Sequence, residues 1–197
     1  MSGNQVQAIV MGGSTGALEA LSVLLPALPA GASIPMAVVV HVPPSSPSHL
    51  ADVLGAWTSL PVREAEDKLP IETGTIYVAP PDYHLLIERS KTFALSADES
   101  VNYARPAIDV LFESAAQAYG KRLAAIVLSG ANADGARGLR TVKRYGGLAI
   151  VQSPEGASAR QMPEAALALV AADHVLPPGQ IAELLGRLAG GRGRERR

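Results

Sequence analysis

Short apolar runs alternate with stretches of helical spacing along most of the chain. Gln7 to Met11 (QAIVM) is an apolar run ending at two glycines, and from Thr15 to Leu28 apolar residues recur at Leu18, Leu21, Leu24 and Leu25. This pattern predicts a strand, a sharp turn and a helix. Ala37 to Val40 predicts a second buried strand, followed by the proline-rich segment VPPSSP and a helix through Leu50, Val53, Leu54 and Trp57. Between Val62 and Leu95 the texture changes. Runs such as TIYVA, HLLIE and TFALS are broken by Gly, Pro, Asp and charged residues, which predicts an antiparallel insert of hairpins.

Beyond Pro106 the alternation resumes. A helix is predicted through Ile108, Leu111, Phe112 and Ala115 to Tyr119, with Gly120 as its terminator. It is followed by a strand from Ala124 (AAIVLS), a helix from Ala136 to Tyr145, a strand from Leu148 (LAIVQ), a helix from Pro163 and a last helix from Gln180. Strand and helix in turn imply an α/β fold: a doubly wound, mostly parallel sheet with helices on both faces and the antiparallel hairpin insert. At 197 residues the chain suits one domain, taken as residues 1–189. The glycine- and arginine-rich end, residues 190–197, has nothing to bury and is expected to be a disordered, solvated tail.

Composition narrows the chemistry. With 17 basic and 18 acidic residues the net charge is −1, so no global field draws the protein to nucleic acid or to an anionic membrane. The absence of cysteine removes disulfides, thiolate catalysis and cysteine-held metals, and the four histidines are scattered without ligand spacing, so neither metal nor cofactor is expected. The N-terminal MSGNQVQ lacks the features of a secretory signal, and no apolar stretch approaches the ~20 residues of a membrane span. Cytoplasmic localisation without membrane insertion is the expectation.

In a parallel sheet, catalytic groups collect at the carboxyl ends of strands. Three such places carry suggestive residues. Gly12-Gly13-Ser14-Thr15-Gly16 fits the G-x-S-x-G pattern at a strand-to-helix turn, where glycines permit the tight bend and helix N–H groups can face negative charge. The same residues would also serve as an ordinary helix cap, and less well as a phosphate-binding loop. His41 follows the second strand and could accept a serine proton, since imidazole titrates near neutral pH. His49, His84 and His174 fall at a helix start, in the insert and near the last strand, places typical of solvated or structural histidines. Asp134 follows the strand at Ala124 and could orient His41, or could simply cap the next helix. The order Ser, His, Asp differs from the Ser, Asp/Glu, His of ordinary α/β-hydrolases.

From about Val6 to Leu188 the chain resembles the chemotaxis receptor methylesterases (CheB). The resemblance rests on GGSTGALEAL, HVP at His41, IYVAP at Ile76, RPAIDVLF at Arg105, LSGANADGARG at Leu128 and MPEAA at Met162, all in the family's order. It implies a serine triad falling on Ser14, His41 and Asp134, with cleavage of glutamyl methyl esters and deamidation of glutamines on the cytoplasmic part of methyl-accepting chemotaxis receptors. It further implies an oxyanion site at the backbone N–H of Ala131. Thr15, directly after the nucleophile, is a second candidate on general grounds.

This sequence departs from the family's usual pattern in three respects. Ala17 stands where a second glycine is usual, tolerable if that position is already helical. Gly130-Ala131-Asn132 replaces Gly-Met-Gly, with Asn132 expected to preserve a positive-φ turn. Many family members carry an N-terminal phosphoacceptor domain, whereas only a few residues precede the first strand here, so the expectation is that activity is constitutive, controlled by a separate regulatory protein, or shaped for another pathway. Two other readings stay open: a catalytically weak module that binds a receptor or signalling partner, and a small-ester hydrolase of unrelated specificity.

Overall fold

The computed structural model describes residues 6–41 and 49–190. The VPPSSP segment and all but the first residue of the expected tail lie outside them. Five buried runs form the heart of a seven-stranded, wholly parallel sheet: β1 (Ala8–Gly13), β2 (Met36–Val40), β4 (Ile76–Val78), β7 (Leu123–Val127) and β8 (Leu148–Gln152), with β3 (Val62–Glu64) and β9 (His174–Leu176) at the edges. The strand order is β3-β4-β2-β1-β7-β8-β9.

Period-two alternation divides the buried side chains between two cores. Ile9, Met11, Val38 and Ile126 face one side, covered by α1 (Ala17–Leu24), α2 (Leu50–Gly55) and α6 (Pro178–Ala189). Val10, Val39, Ala125 and Val151 face the other, covered by α3 (Ile108–Tyr119), α4 (Ala136–Arg144) and α5 (Gln161–Leu169). Strands buried on both faces read as unbroken apolar runs, which is why they stand out in the sequence. Gly120 ends α3 with a φ of 56°, the terminator expected of it.

The stretch from Val62 to Leu95 is only partly an antiparallel insert. β5 (His84–Ile87) and β6 (Phe93–Ser96) form the antiparallel hairpin, but β3 and β4 join the main sheet in parallel, with Met36 in register with Ile76 and Val62 also in register with Ile76. Three-residue apolar runs look alike in either setting, and pairing over forty residues of chain leaves no local spacing signal.

From β1 the chain winds outward to β2, β3 and β4; α3 then returns it to the opposite side of β1, where β7 lies. The direction of winding therefore reverses between β1 and β7, and the crevice at their carboxyl ends is the place where such sheets hold their ligands.

Candidate active site

Ser14, His41 and Asp134 follow β1, β2 and β7, three neighbouring strands. The ladder continues past the strand ends: the N–H of His41 donates to Gly13 O at 3.1 Å, and the N–H of Ser14 donates to Ser129 O at 2.9 Å. Serine turn, histidine and the loop after β7 are thus held by backbone bonds.

The turn needs its glycines. A Cβ on Gly12 would stand 2.2 Å from Ile108 Cγ2, and Gly16 has a φ of 81°. Gly16 is the N-cap of α1 and no side chain caps that helix, so neither Ser14 nor Thr15 serves as its cap. Ala17 is already the first helical residue, which accommodates its side chain where the family pattern has glycine. Thr15 is exposed at the turn, and Ala131 is exposed on the loop after β7. Among the described residues no backbone hydrogen bond engages the N–H of either.

Asp134 is the electrostatic centre. Its carboxylate is wholly buried and accepts hydrogen bonds from His41 Nε2 (2.8 Å), Ile108 N (2.7 Å), Asp109 N (3.0 Å), Asn102 Nδ2 (3.0 Å) and Gly135 N (3.0 Å). Burial pushes its pKa up, but the bonds from His41, Ile108, Asp109 and Asn102 outweigh it and hold the group below the usual carboxylate range. The α4 N-cap is Gly135, with a φ of 89° and no side-chain cap. Asp134 does cap a helix at its side chain, but the helix is α3, 26 residues back in the chain, and not the one it precedes.

His41 retains 14% of its side-chain surface. With Nε2 donating to Asp134, the proton belongs on that nitrogen, and Nδ1 is left with a lone pair. Asn132 Nδ2 lies 3.5 Å from Nδ1. Asn132 does not take the positive φ expected of it; its Oδ1 instead accepts the N–H of Asp134 at 3.0 Å, and that side-chain bond shapes the loop in place of glycine. His41 and Asn132 line a half-open groove of about 260 Å³, closed on its far side by residues 102–106.

The CheB methylesterase model matches residues 9–185. The chain belongs to the CheB methylesterase family. It is 45% identical over 182 residues to a putative protein-glutamate methylesterase/protein-glutamine glutaminase of Leptospira interrogans, covering 92% of this chain and 94% of the relative. A protein-glutamate methylesterase/protein-glutamine glutaminase of Archaeoglobus fulgidus is 36% identical over 182 residues, but there the chain spans only 52% of the relative's length. The crystal structure of the Thermotoga maritima CheB methylesterase catalytic domain superposes with a TM-score of 0.88 at 35% identity, covering 93% of this chain and 99% of that one.

Two polar residues of this CheB-family site escaped attention in the sequence. Asn102 Nδ2 donates to both Asp134 Oδ1 and Asp109 Oδ2, at 3.0 Å each, and Asp109 Oδ1 accepts Gly138 N at 2.7 Å. Burial raises the Asp109 pKa, against the bond from Gly138, and the Asp134 charge raises it further. Asp109 lies within the RPAIDVLF motif, but its apolar neighbours masked a polar role; Asn102 carried no signal, since it sits in a turn outside any periodic element and meets Asp134 across 32 residues of chain. Ser129 was likewise overlooked: its buried Oγ donates to Thr15 O at 2.7 Å and accepts Ala159 N at 2.9 Å, tying the serine turn to the segment before α5.

The other histidines stay apart from this network. His84 is buried, with Nδ1 accepting Ala107 N and Nε2 donating to Glu99 O, a structural bridge. His49 is exposed near Asp52, and His174 lies on edge strand β9. Among the described residues no group of three His, Asp or Glu side chains could hold a metal ion, and no helix is long and apolar enough to cross a membrane.

Proposed function

We propose that this chain, acting through residues 1–189 as one domain, hydrolyses glutamyl methyl esters of chemotaxis receptors on their cytoplasmic part and deamidates receptor glutamines there. Ser14 is the nucleophile, His41 the general base and Asp134 the orienting acid. The observation that carries this reading is the 2.8 Å bond between His41 Nε2 and a buried, ionised Asp134, on a strand end whose backbone is bonded to the residue before Ser14.

Because Asp134 occupies Nε2, the serine proton passes to Nδ1. Ser14 Oγ attacks the ester carbon, the C–O π bond breaks and a tetrahedral oxyanion forms. The N–H groups of Thr15 and Ala131 are the candidates to hold it; that of Ser14 is engaged by Ser129 O. Imidazolium, stabilised by the Asp134 charge, then returns its proton to the departing methoxide, or to the amide nitrogen during deamidation. Methanol or ammonia leaves an acyl-serine. Water repeats the sequence, releasing the glutamate carboxylate and regenerating Ser14.

Methylated receptor membranes incubated with the purified chain should release methanol. Ser14→Ala should abolish release while leaving the circular dichroism spectrum and melting transition intact; equal release from that variant would rule out the nucleophile.

One observation favours a second reading, the weakly catalytic receptor-binding module. Asn132 Nδ2 stands 3.5 Å from the nitrogen that must accept the serine proton. Receptor binding without measurable methanol release by the unaltered chain would establish it.

A further inference from the structure

The loop between β6 and α3 contains a two-residue β-turn. Val101 and Ala104 exchange both backbone hydrogen bonds, at 3.1 and 2.9 Å, and the two central residues have positive φ, 52° at Asn102 and 62° at Tyr103. Positive φ at both central positions is the signature of a type I′ turn, whose favoured sequence is Asn-Gly. Asn102 conforms. Tyr103 does not: an aromatic side chain stands where glycine would be unstrained.

Among the described residues nothing compensates for that choice, since Tyr103 is 104% exposed. Its neighbour is the opposite case. Asn102 turns inward and is fixed by bonds to Asp134 and Asp109, while Arg105 anchors the loop from the other side through Ala97 O and Asp98 O. The turn is therefore held firmly in place and presents an aromatic ring at the lip of the groove that contains His41.

The groove, at about 260 Å³, is smaller than the usual range of ligand pockets and half open. A groove of that size beside His41 has room for a side chain at most and cannot enclose a polypeptide. Recognition of a substrate polypeptide must come from the rim, and tyrosine there combines a large contact area with few rotatable bonds to immobilise.

We propose that Tyr103 is a specificity residue, the aromatic platform against which an apolar stretch of the substrate polypeptide packs when its modified glutamyl side chain is presented to Ser14 and His41. This inference rests on the reading of the substrate as a receptor protein. It assigns the backbone strain at Tyr103 to recognition, because the fold itself would be as well or better served by glycine.

The test compares Tyr103→Gly and Tyr103→Phe with the unaltered chain on methylated receptor membranes and on p-nitrophenyl acetate. In Tyr103→Gly the ratio of kcat/KM for membranes to that for the small ester should fall about tenfold, mainly through KM, as loss of a modest aromatic anchor implies. Tyr103→Phe should hold the ratio within about twofold. The melting temperature of Tyr103→Gly should be unchanged or higher, which a structural role for the ring would not permit.

An unchanged ratio in Tyr103→Gly, with the unaltered chain active on membranes, overturns the inference and leaves the hydrolase reading intact. If the unaltered chain releases no methanol, the hydrolase reading fails. Cosedimentation with receptor membranes then decides the role of Tyr103: weaker binding by Tyr103→Gly supports it, and equal binding overturns it.

Discussion

The Asp134 carboxylate, at the start of α4, accepts the backbone N–H of Ile108, at the start of α3, at 2.7 Å. One side chain therefore performs two tasks. It satisfies N–H groups that a helix start leaves without partners, and those same bonds keep it ionised beside His41. Helix capping and pairing with His41, rival explanations of this aspartate at the level of sequence, are one arrangement in space.

Asp134→Asn should lower both stability and activity, by separable amounts. An amide retains one acceptor oxygen but turns an NH2 towards N–H groups that now donate, which should reduce unfolding free energy by about 2–4 kcal/mol. It also favours the wrong His41 tautomer, with an expected kcat loss of ~10⁴-fold. Urea denaturation and methanol release measure the two effects.

The pH dependence of stability follows from the same group. The folded-state pKa of Asp134 is depressed, so its contribution is fully present above the ordinary carboxylate value of about 4 and is lost as pH falls through the lower folded value. Asp109 has a raised pKa and acts in the opposite sense: its contribution is full below about 4 and is lost as pH rises through its folded value. Urea denaturation from pH 7 down to pH 3 should show the unaltered chain losing stability in acid more steeply than Asp134→Asn. Parallel profiles would contradict the assignment.

Gly12→Ala should destabilise the protein by about 1–3 kcal/mol, because the new methyl meets a β-branched Ile108 that has little room to yield. Ile108 also supplies an N–H to Asp134, so displacement of the α3 N-terminus should lower kcat at pH 7 as well. Thermal melts and methanol release on the same preparation would test the coupling; full activity in a destabilised variant would refute it.

Ser129→Ala should leave the buried Ala159 N–H and Thr15 O short of a partner, at a cost of about 1–3 kcal/mol. Since this hydroxyl braces the serine turn, the loss in kcat should exceed any change in KM. Steady-state kinetics beside a chemical denaturation curve distinguishes the outcomes.

The sequence alone determined the α/β class, the order of the elements and the strand-end positions of Ser14, His41 and Asp134, because apolar runs, helical periodicity and glycine turns are local signals. It left open whether Asp134 capped its own helix, and it misread β3 and β4 as part of an antiparallel insert. Those questions turn on which distant backbones lie in register: His41 and Asp134 are 93 residues apart, and Asn102 meets Asp134 across 32. Only the tertiary structure brings Asn102 and Asp109 to the carboxylate and Tyr103 to the lip of the groove. Hydrogen bonds of that kind form between groups delivered by separate stretches of chain, and no periodicity within a single element encodes them.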